Sequence, residues 1–217
     1  MSVIGLTGGI GSGKSRVALA WCRHFSVDRI DADAVCRELL QPGGSAWSAL
    51  RQRIGVGYCT AAGELDRRLL RGAIFADAAL RRQVEDIIHP LAREEIRRRL
   101  RVRRHPLVLV EVPLLYEAGW QDMVDRVVLV YAEPWVRLER IVARDRLTQG
   151  EAEQALAAQP PLEEKILLAD HVVDNGGVWS WTLLQLFHLG KMLAGRQLLS
   201  ASPSSFSSVP RSSGTEE

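Results

Sequence analysis

Cysteine is scarce in this chain, and nothing in its spacing pairs it. Cys22, Cys36 and Cys59 are three thiols in 217 residues, without Cys-x-x-Cys or Cys/His ligand spacing. That pattern argues against a disulfide framework and a structural zinc site, and it fits the reducing cytoplasm. Long apolar runs are also missing. No stretch approaches the ~20 residues of a membrane helix, and the N-terminus reaches Gly5 without a basic leader, so a soluble, untargeted chain with no membrane partner is expected. Net charge is nearly absent as well. With 28 basic and 26 acidic side chains the formal charge is +2, far from the polycation that nucleic acid selects. No internal repeat is present.

Apolar residues make up 47% of the chain, ample for one α/β core with a small insertion. Residues 3–6, 107–112, 126–131 and 171–174, with a weaker run at 28–30, read as short buried strands separated by helical sequence. This is the pattern of a parallel five-stranded sheet flanked by helices. Helices are expected at 14–25, at 134–144 with Pro134 in its first turn, and at 179–193 as a closing helix. Thr148 and Glu151 have capping-box spacing, opening a helix that ends near Pro160 and Pro161; 162–169 form a short turn. Residues 34–104 are too long and too helical for a plain crossover and read as an inserted helical subdomain. Within it Pro90 should start a new segment or kink the old one. Beyond residue 200 the serine-rich sequence has too little apolar surface to fold and is expected to be disordered.

The strongest motif is Gly8-Gly9-Ile10-Gly11-Ser12-Gly13-Lys14-Ser15, a phosphate-binding loop set between an apolar strand and a helix. Its glycines bring several N–H groups close to one anion, at the positive end of the following helix. Lys14 adds a point charge for the outer phosphates, and the Ser15 hydroxyl is placed to ligate magnesium. Transfer of a phosphoryl group also needs an acceptor-side group. Asp31 and Asp33, just past the second strand, would stand at the carboxyl edge of the sheet, where open α/β sheets bind ligands. Either could instead cap the next helix. Glu111 ends an apolar run, and a carboxylate there needs a cationic or metal partner. Pro113-Leu114-Leu115 turns the chain out of the sheet and offers a wall for an apolar part of a substrate. Arg137, Arg140 and Arg144 recur at helical spacing, as on a helix that closes over a nucleotide. His89 before Pro90 is expected to be held out of the helix, presenting its ring to a ligand. The arginine-rich run from Arg93 to Arg104 reads mainly as solvated surface.

These motifs together resemble the dephospho-CoA kinase family. The similarity runs from about residue 3 to 195: the loop from Gly5 to Ser15, Asp31-Ala32-Asp33, Leu65-Asp66-Arg67 with Leu70-Arg71 and Ile74-Phe75, His89-Pro90, residues 112–117, Leu138-Glu139-Arg140 with Arg144-Asp145, residues 161–165, and Ala169-Asp170 through Asp174-Asn175-Gly176. The resemblance implies a P-loop nucleoside-triphosphate hydrolase-like fold, with core 1–33 and 105–199, a substrate-binding insertion 34–104 and a lid 137–165. The implied activity is transfer of the γ-phosphoryl group of ATP to the ribose 3'-hydroxyl of dephospho-CoA, with Mg2+. It further implies Asp33 as acceptor-side base, Lys14 and the amides of Gly11, Ser12, Gly13, Ser15 and Arg16 around the phosphates, and Ser15 on the metal. Arg140 would belong to the lid, Asn175 would lie beside the adenine, and Arg71 and His89 would contact the CoA moiety.

Three features depart from the family pattern, one of them Pro160 beside Pro161, which stiffens the return of the lid. Arg16 stands where threonine is usual, replacing a hydroxyl by charge near the α-phosphate, and Glu111 stands where aspartate is common. Three other readings predict different behaviour. A P-loop nucleoside or nucleotide kinase would use another acceptor, such as AMP or adenosine. A non-catalytic nucleotide switch would bind without turnover. Nucleic-acid binding through the arginine run would need no ATP and fall steeply with salt.

Overall fold

The computed structural model describes residues 1–25, 27–103 and 105–194; the serine-rich tail lies outside them. Five parallel strands, β1 (Ser2–Thr7), β2 (Asp28–Asp31), β3 (Leu107–Glu111), β4 (Arg126–Tyr131) and β5 (His171–Asp174), form one sheet in the order β2-β3-β1-β4-β5. The central strand pairs Ile4 with Leu109 on one side and with Arg126 on the other. Because strand side chains alternate in direction, neighbouring residues feed two separate cores. Ile4, Leu6, Leu107, Leu109, Val128 and Val130 face one side with α1 (Lys14–His24) and the last helix. Val3, Val108, Val110 and Val127 face the other, under α2 (Ala32–Leu39) and Ile96 and Leu100 of a long helix. In β1, β3 and β4 both faces are buried, which is why these three strands read as apolar runs.

Between β2 and β3 lie α2, α3 (Ser45–Ile54), α4 (Arg67–Ala76) and α5 (Ala78–Arg101). Leu50, Leu70 and Val84, with Ile54, Ile74, Ile87 and Ile88 against them, form a small core of their own. Helix α5 joins this core to the main one, since its second half contributes Ala92, Ile96 and Leu100 to the sheet face. Pro90 sits inside α5 without ending it. The expected break there is absent, because Pro90 is on the exposed side of the helix and both halves of α5 are fixed by packing, which outweighs the lost hydrogen bond.

After β4 come α6 (Pro134–Asp145), α7 (Gln149–Ala157), α8 (Leu162–Ile166) and, beyond β5, α9 (Trp179–Ala194). Thr148 opens α7 with a complete capping box: its hydroxyl accepts from Glu151 N while the Glu151 carboxylate accepts from Thr148 N. This satisfies two of the otherwise unpaired N–H groups at that end. No helix among the described residues is long and apolar enough to cross a membrane.

Candidate active site

The glycine-rich loop joins β1 to α1 at the carboxyl edge of the sheet, on its central strand. Gly11 and Gly13 have φ of +78° and +83°, a region that L side chains rarely enter. Space is limiting as well, since a Cβ on Gly13 would lie 2.3 Å from Asn175 Nδ2. A loop whose N–H groups turn toward an anion must send its carbonyls elsewhere, and buried carbonyls need donors. Side chains from two distant segments supply them. Arg137 Nε donates to Ile10 O (2.9 Å), Arg140 Nη1 lies 3.4 Å from both Gly11 O and Ser12 O, and Asn175 Nδ2 donates to Ser12 O (2.8 Å). Arg140 also donates to Asn175 O at 2.7 Å, and Thr182 holds Asn175 Oδ1 at 3.1 Å. The predicted arginine face of α6 is thus assembled, with Arg137 and Arg140 behind the loop. Burial pushes both guanidinium pKa values below their usual range; for Arg140 the nearby Arg16 charge adds to the effect.

On the other side of the loop opens a cleft of about 620 Å³, lined by the loop glycines, Lys14, Ser15, Arg16, Asp33, Arg71, Pro113, Arg144 and Gln159. This is within the ordinary range for a small-molecule site. In contact with Lys14 and Ser15 of its lining, Glu111, 1% exposed, ends β3 beside β2. Its Oε1 accepts from Lys14 Nζ and from Ser15 Oγ, both at 2.6 Å. Its Oε2 is forked by Arg29, through Nε at 2.8 Å and through Nη2. Burial pushes the Glu111 carboxyl upward, but Lys14, Ser15 and Arg29 together hold it below the usual range.

The two aspartates divide. Asp31 caps α2 by accepting from Ala34 N (3.1 Å) and is paired with Arg29 Nη2 (3.0 Å). Asp33, in the first turn of α2, opens on the cleft. It is solvent-exposed, and partial desolvation raises its pKa against the pull of Lys14.

Arg71 is brought to the same cleft from α4. Two expected contacts are placed elsewhere. Leu115 is fully buried in the core, against Gly5 and under the sheet face, so the turn after β3 presents Pro113 to the cleft instead. His89 is held within α5, not out of it, and its ring meets Trp120 edge-on at 5.9 Å; it is not among the cleft residues. Arg16 stacks over Trp179, 3.8 Å from the ring centroid, and lines a second cavity of about 450 Å³ with Gly11, Gly13, Arg140, Ala143, Arg144 and Asn175. The α5 arginines are engaged on the surface: Arg93 with Asp122, Arg98 and Arg99 with Glu95, Arg99 with Glu38. Two site residues escaped sequence reasoning. Arg29 shares a strand face with Asp31 and could have been found from that spacing; Gln159, whose Oε1 accepts from Ile10 N at 2.9 Å, carries no such signal.

The family model for dephospho-CoA kinase matches residues 2–180. The chain belongs to the dephospho-CoA kinase family. Its members catalyse the last step of coenzyme A biosynthesis, and the chain is a nucleotide-binding kinase of that kind. A dephospho-CoA kinase of Anaeromyxobacter dehalogenans is 43% identical over 180 residues, covering 82% of this chain and 85% of the relative. One from Geobacter sulfurreducens is also 43% identical over 180 residues, with 82% and 91% covered. Among solved structures, TT1252 from Thermus thermophilus superposes with a TM-score of 0.78 at 33% identity, covering 89% of this chain and 98% of that one. The Campylobacter jejuni dephospho-CoA kinase, at 21% identity and a TM-score of 0.66 over 88% and 96% of the two chains, shares the fold.

Proposed function

We propose that this chain transfers the γ-phosphoryl group of ATP to the ribose 3'-hydroxyl of dephospho-CoA, with Asp33 taking the hydroxyl proton. One observation carries the assignment of roles: Asp33 lines the same cleft as the phosphate-binding loop, its Lys14 and Ser15 included. A raised pKa makes Asp33 a stronger base than an ordinary carboxylate. Lys14 and the amides of residues 11–16 hold the triphosphate; Arg71, on the acceptor side, faces the anionic part of dephospho-CoA. Helix α6 supports the loop from behind, so residues 137–165 act as a lid whose movement is felt directly by the loop. Gln159, within that segment, accepts from Ile10 N and so ties the lid to the loop.

Magnesium fits beside Ser15, where that residue lines the cleft. Ser15 Oγ and Glu111 Oε1 are hard oxygen donors 2.6 Å apart, and this ion takes one or two protein oxygens together with phosphate oxygens and water. Among the described residues no cluster of three or more His, Cys, Asp or Glu is suited to a metal, so the remaining ligands would come from the nucleotide and solvent. When bound, the ion offsets phosphate charge. The free thiols Cys22, Cys36 and Cys59 support a cytoplasmic setting, and the ion-paired α5 arginines support a small-molecule acceptor over nucleic acid.

The test is formation of CoA from ATP, Mg2+ and dephospho-CoA by the purified protein, with AMP and adenosine as competing acceptors. Replacing Asp33 by Asn is expected to lower kcat by about 10²- to 10⁴-fold, the range for removal of a general base, with ATP affinity kept. Preference for AMP or adenosine, or wild-type turnover in the variant, sinks the assignment.

A further inference from the structure

Lys14 faces a conflict that the phosphate-binding role does not resolve by itself. Its ammonium is held at 2.6 Å by Glu111, a carboxylate 1% exposed. To reach a triphosphate, Lys14 must loosen that contact, and leaving a buried carboxylate without its cation is strongly unfavourable. Arg29 answers the conflict. It projects from β2 one strand away, and its guanidinium forks Glu111 Oε2 while also binding Asp31 Oδ2 at 3.0 Å. The two cations take opposite oxygens of Glu111, Lys14 on Oε1 and Arg29 on Oε2. Arg29 is fixed by the pairing of β2 with β3, which sets Asp31 opposite Glu111, and it does not line the cleft.

We propose that Arg29 is a positioning residue that keeps Glu111 compensated, and so releases Lys14 to bind the phosphates of the nucleotide. This rests on the reading of Lys14 as a phosphate ligand. The same side chain ties the Glu111 carboxylate to Asp31, the cap of α2, the helix that carries Asp33. Without Arg29, Glu111 would compete with ATP for the lysine, and the competition would vanish once Glu111 is made neutral.

The experiment measures ATP binding by calorimetry in EDTA, without magnesium and without turnover, for wild type, Arg29→Met, Glu111→Gln and the double variant. Arg29→Met is expected to weaken ATP at least tenfold, the range for losing a charged hydrogen bond, and the double variant is expected to bind like Glu111→Gln alone. A merely structural role for Arg29 does not produce that reversal in affinity. Arg29→Gln retains a hydrogen bond but not the charge, so it carries the test if the Met variant does not fold; the same weakening is expected. Should Arg29→Met or Arg29→Gln bind within twofold of wild type, or the double variant remain as weak as the Arg29 variant, the proposal is overturned while the function stands. A wild-type chain that binds no ATP overturns the parent reading and this one with it.

Discussion

Two glycines with the same backbone angle separate the strain of a left-handed residue from the cost of crowding the nucleotide loop. Gly13 has φ +83° and Gly43 has φ +84°. An added Cβ at Gly43 meets nothing within 4 Å, whereas at Gly13 it lies 2.3 Å from Asn175 Nδ2. Alanine at either site meets backbone strain of about 1–2 kcal/mol. At Gly13 Asn175 must also move by roughly 1 Å to restore ordinary contact. Its two buried hydrogen bonds, to Ser12 O at 2.8 Å and from Thr182 Oγ1 at 3.1 Å, limit that movement, and breaking one leaves a buried polar group unpaired at about 1–3 kcal/mol. Gly43→Ala is therefore expected to cost about 1–2 kcal/mol and Gly13→Ala about 2–5 kcal/mol. Urea denaturation of both variants and wild type reads the difference in midpoint, and calorimetry reads ATP affinity. Gly43→Ala should bind ATP normally; Gly13→Ala should bind it at least tenfold more weakly, because the displaced Asn175 no longer holds Ser12. Equal destabilisation in the two variants would refute the claim that the Asn175 contact, and not φ alone, reserves this position for glycine.

Three further outcomes follow from the same geometry. Because the Asp33 carboxyl pKa is raised in the folded chain, the folded state binds its proton more tightly than the unfolded state, and that contribution to stability is lost as pH rises from the ordinary carboxylate value of 3.8 through the raised one. Asp33→Asn should therefore gain stability over wild type across that window and keep the gain at neutral pH; parallel melting curves from pH 4 to 8 check it, and a constant difference at all pH values contradicts it. Thr148→Ala removes the α7 cap and should lower the urea midpoint by the equivalent of about 1 kcal/mol, without changing the acceptor preference seen in turnover assays. Gly190→Ala drives a methyl to within 2.4 Å of the Phe25 ring, so a loss of about 1–3 kcal/mol is expected in thermal melting, with ATP binding unaffected.

The centre of the sheet was legible because β1, β3 and β4 are buried on both faces, so their apolar runs needed no partner to be recognised; β2, Asp-Arg-Ile-Asp with only Ile30 buried, gave the weaker signal. The ends of β4 and β5 fall where the residue pattern puts them, and Pro134 and the Thr148–Glu151 box mark helix starts that depend only on local chemistry. Pro90 starts no new segment because packing from Val84 to Leu100 keeps α5 continuous through a residue that local propensity disfavours. His89 followed it, since its expected projection depended on a break that does not occur. Leu115 misled for another reason: an apolar residue after a strand suits a substrate wall and a core equally, and only Gly5, which leaves room beside it, decides between them. Arg29 carried a local signal only in its spacing from Asp31; its contact with Glu111, 82 positions away in the chain, is one that no local pattern contains.

What joins these observations is the polarity of the peptide group. A loop that gathers N–H groups around an anion exposes an equal number of carbonyl oxygens on its other side, and each requires a donor or water. Arginine and asparagine side chains provide donors that hold their charge or geometry when buried, which is why Arg137, Arg140 and Asn175 converge there. All three come from segments beyond β4. The loop's shape is thus set by α6 and by the residue after β5, so a shift of α6 must change the aim of the loop N–H groups. A chain in which Arg137→Met leaves ATP affinity and turnover untouched would show that the loop holds its form alone; the expected result is a parallel loss in both, since Ile10 O, half-buried, would lose its donor.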